Sequence, residues 1–297
     1  MIGQKRPRPA ESAEAAAPRT RTPRAGRDLP AAILTGAALL IPAVLGIVFM
    51  PLLLILLAVV LLAMGAWEVA VALETQGLRL PKIPLFLGAL TMPLAAYFGG
   101  VEALTLALMV TCAAIAVIAA IYRIHDAGRS IMASMFVACW VPFLISFAVL
   151  LIDQPMGQWR LAVVVLLVVA NDTFGYLVGV LFGKHPMAPT ISPKKSWEGF
   201  AGSMLGSIAV GVLASALIFD EPLSIGAVLA AAVVVVSTAG DFSESMVKRE
   251  LGLKDMSHVL PGHGGVMDRL DSLVFAMPTA YFVIVALSPQ SAGIPLG

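Results

Sequence analysis

From Ala31 to Ser288 the chain is a succession of apolar runs, each close to the length a helix needs to cross a bilayer and each ended by a short polar, Pro or Gly break. A lipid-spanning helix takes about 20 mostly apolar residues. In hydrocarbon the backbone must satisfy its own hydrogen bonds, which leaves helices and closed barrels as spanning structures. Continuous apolar runs lack the roughly ten-residue alternation of barrel strands. With 59% hydrophobic and only 12% charged residues, the composition excludes an ordinary soluble globular domain. The expected fold class is all-α: a polytopic integral membrane protein with about nine transmembrane helices, at residues 31–50, 52–72, 84–100, 103–122, 130–152, 160–181, 197–219, 224–246 and 272–289. Pro51 separates the first two; Pro84 suits the first turn of the third, and Pro93 falls inside it where it can kink the helix.

Basic residues orient this map. With the N-terminus inside, every Lys and Arg except Arg160 falls in a cytoplasmic segment, as the positive-inside rule demands. The C-terminus is then expected outside. Residues 1–28 are rich in Pro, Ala and Arg without apolar periodicity and are expected to form a disordered basic cytoplasmic tail, with a transmembrane domain over 29–297. Cys112 and Cys139 both lie within expected spans and suggest no disulfide or metal-thiolate framework. The stretch Trp67–Leu80 reads as amphipathic, suited to lie along the membrane surface. None of these patterns points to a nucleic-acid partner.

Chemistry concentrates in the 27 residues Ser245–Asp271, which hold four acids, four Lys/Arg, two His and the turn Pro261-Gly262-His263-Gly264-Gly265 between two apolar spans. Polar groups at a membrane edge cost several kcal/mol unless paired, hydrated or bound to an ion. On a helix, Asp241, Glu244, Ser245 and Lys248 share about a 100° arc. Two carboxylates on one face make an oxygen site for a divalent cation; an ion-bridged interface with Lys248 is the plainer reading. The glycines of the turn, Gly264 and Gly265 among them, let backbone N–H groups face an anion, with His263 set between them. Asp268-Arg269-Leu270-Asp271 opens the last span, where one Asp suits a helix cap and two flanking an Arg suit a metal–phosphate site. In the preceding inside loop, Ser192-Pro193-Lys194-Lys195-Ser196 offers paired ammonium groups and hydroxyls to a polyphosphate. Asn171-Asp172 inside the sixth span could bind a metal, a base edge or a sugar hydroxyl, or hydrogen-bond between helices.

With these residues laid out, the chain resembles the phosphatidate cytidylyltransferases, or CDP-diacylglycerol synthases. Ser245, Lys248, Arg249, Lys254, Asp255, Ser257, Leu260, Pro261, His263, Gly264, Gly265, Asp268, Arg269 and Asp271 fill that family's signature without a departure. Ser192–Gly199 is similar to its Ser-Pro-Lys-Lys block, and Gly240-Asp241 to its acidic helix end. The match covers mainly residues 170–271, inside a catalytic part expected over 160–290. The resemblance implies transfer of the cytidylyl group of CTP to phosphatidic acid, with Mg²⁺ required and a second cation, K⁺ or another divalent, beside it. It also implies a homodimer in the inner or plasma membrane, with the active site cytoplasmic and in contact with membrane lipids. Carried onto this chain, Asp241 and Asp268 become metal ligands, with Glu244 and Asp271 as further ones. Asp172, Ser192, Lys194, Lys195, Lys248, Arg249, Asp255, His263, Gly264, Gly265 and Arg269 then line the nucleotide and phosphate pocket. Two other readings stay open: a cation-coupled transporter using Asp172, Asp241 and Glu244, and a CTP-using lipid kinase that transfers the γ-phosphate.

Overall fold

A computed structural model describes residues 29–260 and 264–288. The basic tail 1–28, His263 and the segment 289–297 lie outside the described residues. Among those described, nine helices run in the order α1 (Leu29–Val48), α2 (Pro51–Glu74), α3 (Lys82–Ile121), α4 (Ala127–Ala138), α5 (Phe147–Ile152), α6 (Gly157–Phe182), α7 (Trp197–Ala214), α8 (Leu223–Glu250) and α9 (Met267–Leu287). One small antiparallel hairpin, β1 (Pro186–Ala188) with β2 (Ser192–Ser196), sits between α6 and α7. The protein is an all-α integral membrane protein, and seven of its described helical segments are long and apolar enough to cross a bilayer.

The described helices bear on the expected nine spans at two places. The segments 84–100 and 103–122 are the two arms of α3, which turns back where Gly99 and Gly100 leave helical geometry, with Gly100 at φ 63°. Its two arms fold against each other: a Cβ on Gly88 would stand 2.6 Å from Thr111. The first segment contributes only a shorter apolar helix, Ile33–Val48. One expectation is corrected. Trp67–Glu74 is not a surface helix but the last two turns of α2, because Glu68, Val69, Ala70 and Ala72 are buried against the bundle.

Proline shapes the next span in a way the apolar pattern does not show. α4 runs into a π-helical turn, Cys139–Phe143, that contains Pro142, and continues as α5, so residues 127–152 form one irregular span. A proline removes one backbone donor, and a widened turn relieves the clash with the preceding carbonyl.

The site-bearing part is a sequential packing of α6 on α7, α7 on α8 and α8 on α9. The first pair approaches closely because its crossing is built from glycine: a Cβ on Gly199 would stand 2.8 Å from the carbonyl of Gly175. Small residues at such a crossing supply the van der Waals contact that lipid does not drive. The buried core includes Leu62, Val69, Leu167, Val233, Met277 and Ile284, while Leu166, Val169 and Leu205 remain exposed on lipid-facing sides.

Candidate active site

The short hairpin fixes one wall of the site. Ser196 N-caps α7, its Oγ accepting from Gly199 N at 3.1 Å, and Glu198 in the first turn accepts from the backbone N–H groups of Lys184 and His185 at 3.1 and 3.2 Å. Those bonds pin both ends of the hairpin to the helix, so Lys194 and Lys195 are presented from a rigid strand. Between this strand and α6, α7 and α8 lies a cavity of about 290 Å³. Its walls include Asp172, Ser192, Lys194, Lys195, Thr238 and Asp241. A volume of that size is near the lower end for small-molecule sites. Lys195 bonds Asp241 and rests its ammonium 4.8 Å from the centre of the Phe242 ring. Asp172 is exposed to the cavity and accepts from Asn171 Nδ2 at 3.0 Å, while the buried Asn171 Oδ1 has no hydrogen-bond partner. Arg269 is near enough to Asp172 to interact with it electrostatically.

A second group of side chains lies beyond Asp241, between α8 and α9. The helical period places Asp241, Glu244 and Lys248 on the face of α8 that meets α9, as expected from their spacing. Lys248 bonds Glu244 and reaches Asp268 at 2.9 Å. Asp268 is otherwise saturated by backbone: Oδ2 accepts from Gly265 N at 2.8 Å and from Met256 N at 3.1 Å. Asp241 accepts from Ser272 Oγ at 2.5 Å, and the Asp271 carboxyl lies near enough to both Asp241 and Glu244 to feel their charge. Glu244 and Asp268 share the Lys248 ammonium between them. The four acids therefore gather across the α8–α9 interface, with Lys248 bridging one pair of them. Among the described residues, no three acidic, His or Cys side chains surround a single point.

That donor chemistry fits a hard cation. Like-charged carboxyls in contact repel unless a proton or a metal stands between them, and Glu244, fully buried, has an Oε1 without a hydrogen-bond partner. Carboxylate oxygens are the ligands Mg²⁺ takes.

The loop joining α8 to α9 is tied at both ends. α8 ends with Gly252 at φ 69°, and Leu253 N returns to Lys248 O at 2.8 Å, a glycine-stopped helix end. Leu260 N donates to Gly264 O at 2.9 Å and closes the glycine turn, with Gly264 at φ 84°. Not every residue expected in the pocket is brought to it. Arg249 is exposed on the last turn of α8, and Asp255 is exposed in the loop. His263 lies outside the described residues.

Two groups escaped sequence reasoning. Ser272, which holds Asp241, directly follows the acidic motif and was passed over as the start of an apolar helix. Glu68 is buried in α2 and accepts from Ser257 Oγ at 2.6 Å, Val266 N at 2.9 Å and Met267 N at 2.8 Å. A lone acid inside so apolar a helix was the signal available.

Residues 30–287 match the model of the cytidylyltransferase family. The chain belongs to the cytidylyltransferase family. It is 38% identical over 292 residues to the phosphatidate cytidylyltransferase of Mycobacterium bovis, covering 91% of this chain and 92% of that protein. It is 38% identical over 291 residues to the phosphatidate cytidylyltransferase of Mycobacterium leprae, covering 90% of each. A shorter match, 42% over 132 residues, joins it to the phosphatidate cytidylyltransferase of Pseudomonas aeruginosa, over 44% of this chain and 49% of that one. Membership makes the chain a nucleotidyltransferase enzyme.

Proposed function

We propose that this enzyme transfers the cytidylyl group of CTP to phosphatidic acid, giving CDP-diacylglycerol and pyrophosphate. The observation that carries the reading is the cavity itself. Two lysines and two carboxyls of this family member line an opening at one end of the helix bundle, next to paired acids from α8 and α9.

The nucleophile is a phosphate monoester oxygen with a second pKa near 6, already ionised at neutral pH, so no general base is required. The obstacle is repulsion between a lipid phosphate and a triphosphate. Lys194 and Lys195 supply positive charge to the polyphosphate, and Lys195 exchanges Asp241 for phosphate when the nucleotide enters. Asp172, held by Asn171, offers an acceptor to the nucleotide's amino or hydroxyl groups. Lys248 bridges Glu244 and Asp268, and its ammonium would turn to the phosphates when those carboxyls hold a cation. Asp241 and Asp268, with Glu244 and Asp271, would hold Mg²⁺ and a second cation, K⁺ or another divalent. When bound, such cations neutralise the reacting phosphates and the leaving pyrophosphate. The attack is in line, without a covalent enzyme intermediate.

The distribution of Lys and Arg supports a cytoplasmic active site and N-terminus and an outward C-terminus; residence in the inner or plasma membrane as a homodimer among membrane lipids rests on the family resemblance alone.

The test incubates purified protein with labelled CTP, phosphatidic acid and Mg²⁺ and follows label into the lipid phase and pyrophosphate into solution. Label in lipid with stoichiometric pyrophosphate is expected, and chelation of divalent cations should stop it. Inactivity in several detergents and in lipid nanodiscs overturns the reading; release of CDP assigns a kinase instead.

A further inference from the structure

We propose that Glu68 of α2 is a positioning residue for the signature loop: it caps the N-terminus of α9 from another helix and thereby frees Asp268 to organise the site. The inference rests on the proposed cytidylyl transfer, in which Asp268 has a part.

The first backbone N–H groups of any helix lack partners within it, and an acid in the first turn or just before it is the usual solution. α9 carries that acid in Asp268, yet Val266 offers no side-chain cap. Asp268 instead turns back to Gly265 N, Met256 N and Lys248. The N–H groups of Val266 and Met267 go to Glu68, at 2.9 and 2.8 Å, and Ser257 Oγ joins them at 2.6 Å. One carboxyl therefore holds both the entry of α9 and the middle of the α8–α9 loop. Gly265 is wedged between the two acids: a Cβ there would stand 2.8 Å from Glu68 Oε2 and 3.0 Å from Asp268 Oδ2.

Energetics argue for placement over mere cohesion. Glu68 is 3% exposed in a helix that carries no other charged residue before Glu74 at its end. Burying a carboxyl in such surroundings costs several kcal/mol, and well-packed apolar residues commonly stabilise as well or better. What an apolar residue cannot do is hold two backbone amides and a hydroxyl at one point. An error of about 1 Å in such a constellation can cost about 10²-fold in rate.

The experiment compares wild type with Glu68→Gln in the full-length purified enzyme, by hydrogen exchange and by steady-state kinetics per folded molecule. In Glu68→Gln the Val266 and Met267 amides should exchange about tenfold faster while the interior of α8 is unchanged. The value of kcat should fall by about 10²-fold with KM for CTP nearly constant. A purely structural role predicts instead a loss of folded protein with normal kcat in what remains, and that result, or unchanged exchange, overturns the proposal. If Glu68→Gln fails to fold, Ser257→Ala carries the test. It removes one of the three bonds and leaves the acid, so loop exchange should rise and kcat fall several-fold; wild-type values in both overturn the idea. A wild-type enzyme inactive on CTP and phosphatidic acid would sink the proposed reaction, whereas the exchange measurement would still decide the role of Glu68.

Discussion

The same three helices, α6, α8 and α9, carry a polar cluster at each end, and the two clusters differ in one respect. At the end where α6 begins, Arg160 is buried and fully engaged. Its Nη2 donates to Glu221 at 2.8 Å and to Ser288 at 2.7 Å, its Nε donates to the Pro155 carbonyl at 2.8 Å, and its guanidinium lies 5.0 Å from the Phe219 ring centre. The adjoining cavity of about 10 Å³ holds at most one water. At the opposite end carboxyl meets carboxyl, Asn171 Oδ1 and Glu244 Oε1 are buried without hydrogen bonds, and about 290 Å³ stands open beside them. Burial of charge alone does not mark a site in a membrane protein. Buried charge left incompletely satisfied next to open volume does, because that free energy is recovered only when something binds.

Substitutions at the open end should strike turnover hardest. Asp241→Asn and Asp268→Asn are each expected to abolish label transfer from CTP to lipid, exceeding the about 10²–10³-fold typical of one lost electrostatic group. Full activity in either variant, with the protein shown to be folded, would remove that residue from the centre. Lys195→Met should follow, with a loss of about 10²-fold in kcat/KM for CTP. Since Lys195 faces Asp241 as well as the cavity, the double variant with Asp241→Asn should lose far less than the product of the two. Ser272→Ala comes next: it leaves every charge in place and removes only the 2.5 Å bond that orients Asp241, so about tenfold in kcat is expected, as for other supporting contacts.

This ordering also shows what was legible in the sequence. The acidic face of α8 was readable because a helix imposes its own spacing, and Lys194-Lys195 was readable because neither lysine suits an apolar span. The partnership of the acids was not. Asp241 and Asp268 look like a natural pair in the motif, but the relative position of α8 and α9 gives Asp241 to Ser272 and sets Asp268 with Glu244 on Lys248. That position depends on packing such as the approach of Gly240 to the Asp271 carbonyl, where a Cβ would stand 2.4 Å away. Glu68 acts on residues almost 200 positions away, a relation no local pattern carries. The break between 84–100 and 103–122 was legible too: it falls at Gly99-Gly100, where the backbone leaves helical geometry between two arms.

The smallest expected effect on turnover tests the other side of the comparison. Arg160 is a buried base at the closed end, and it is tolerated there because Glu221 neutralises it and Ser288 bonds it out of contact with solvent. Arg160→Met should lower stability by about 3–5 kcal/mol, since it strands Glu221 as an uncompensated buried acid. Adding Glu221→Leu should recover most of that loss, because removing both charges leaves nothing to desolvate. Thermal unfolding of the solubilised protein measures both changes. Turnover per folded molecule should stay at the wild-type value in the double variant, since no Arg160 contact reaches the cavity. A double variant that folds but no longer transfers label would show that the closed end sets the geometry of the open one, and the distinction between a saturated cluster and an unsatisfied one would then fail as a guide to where the chemistry lies.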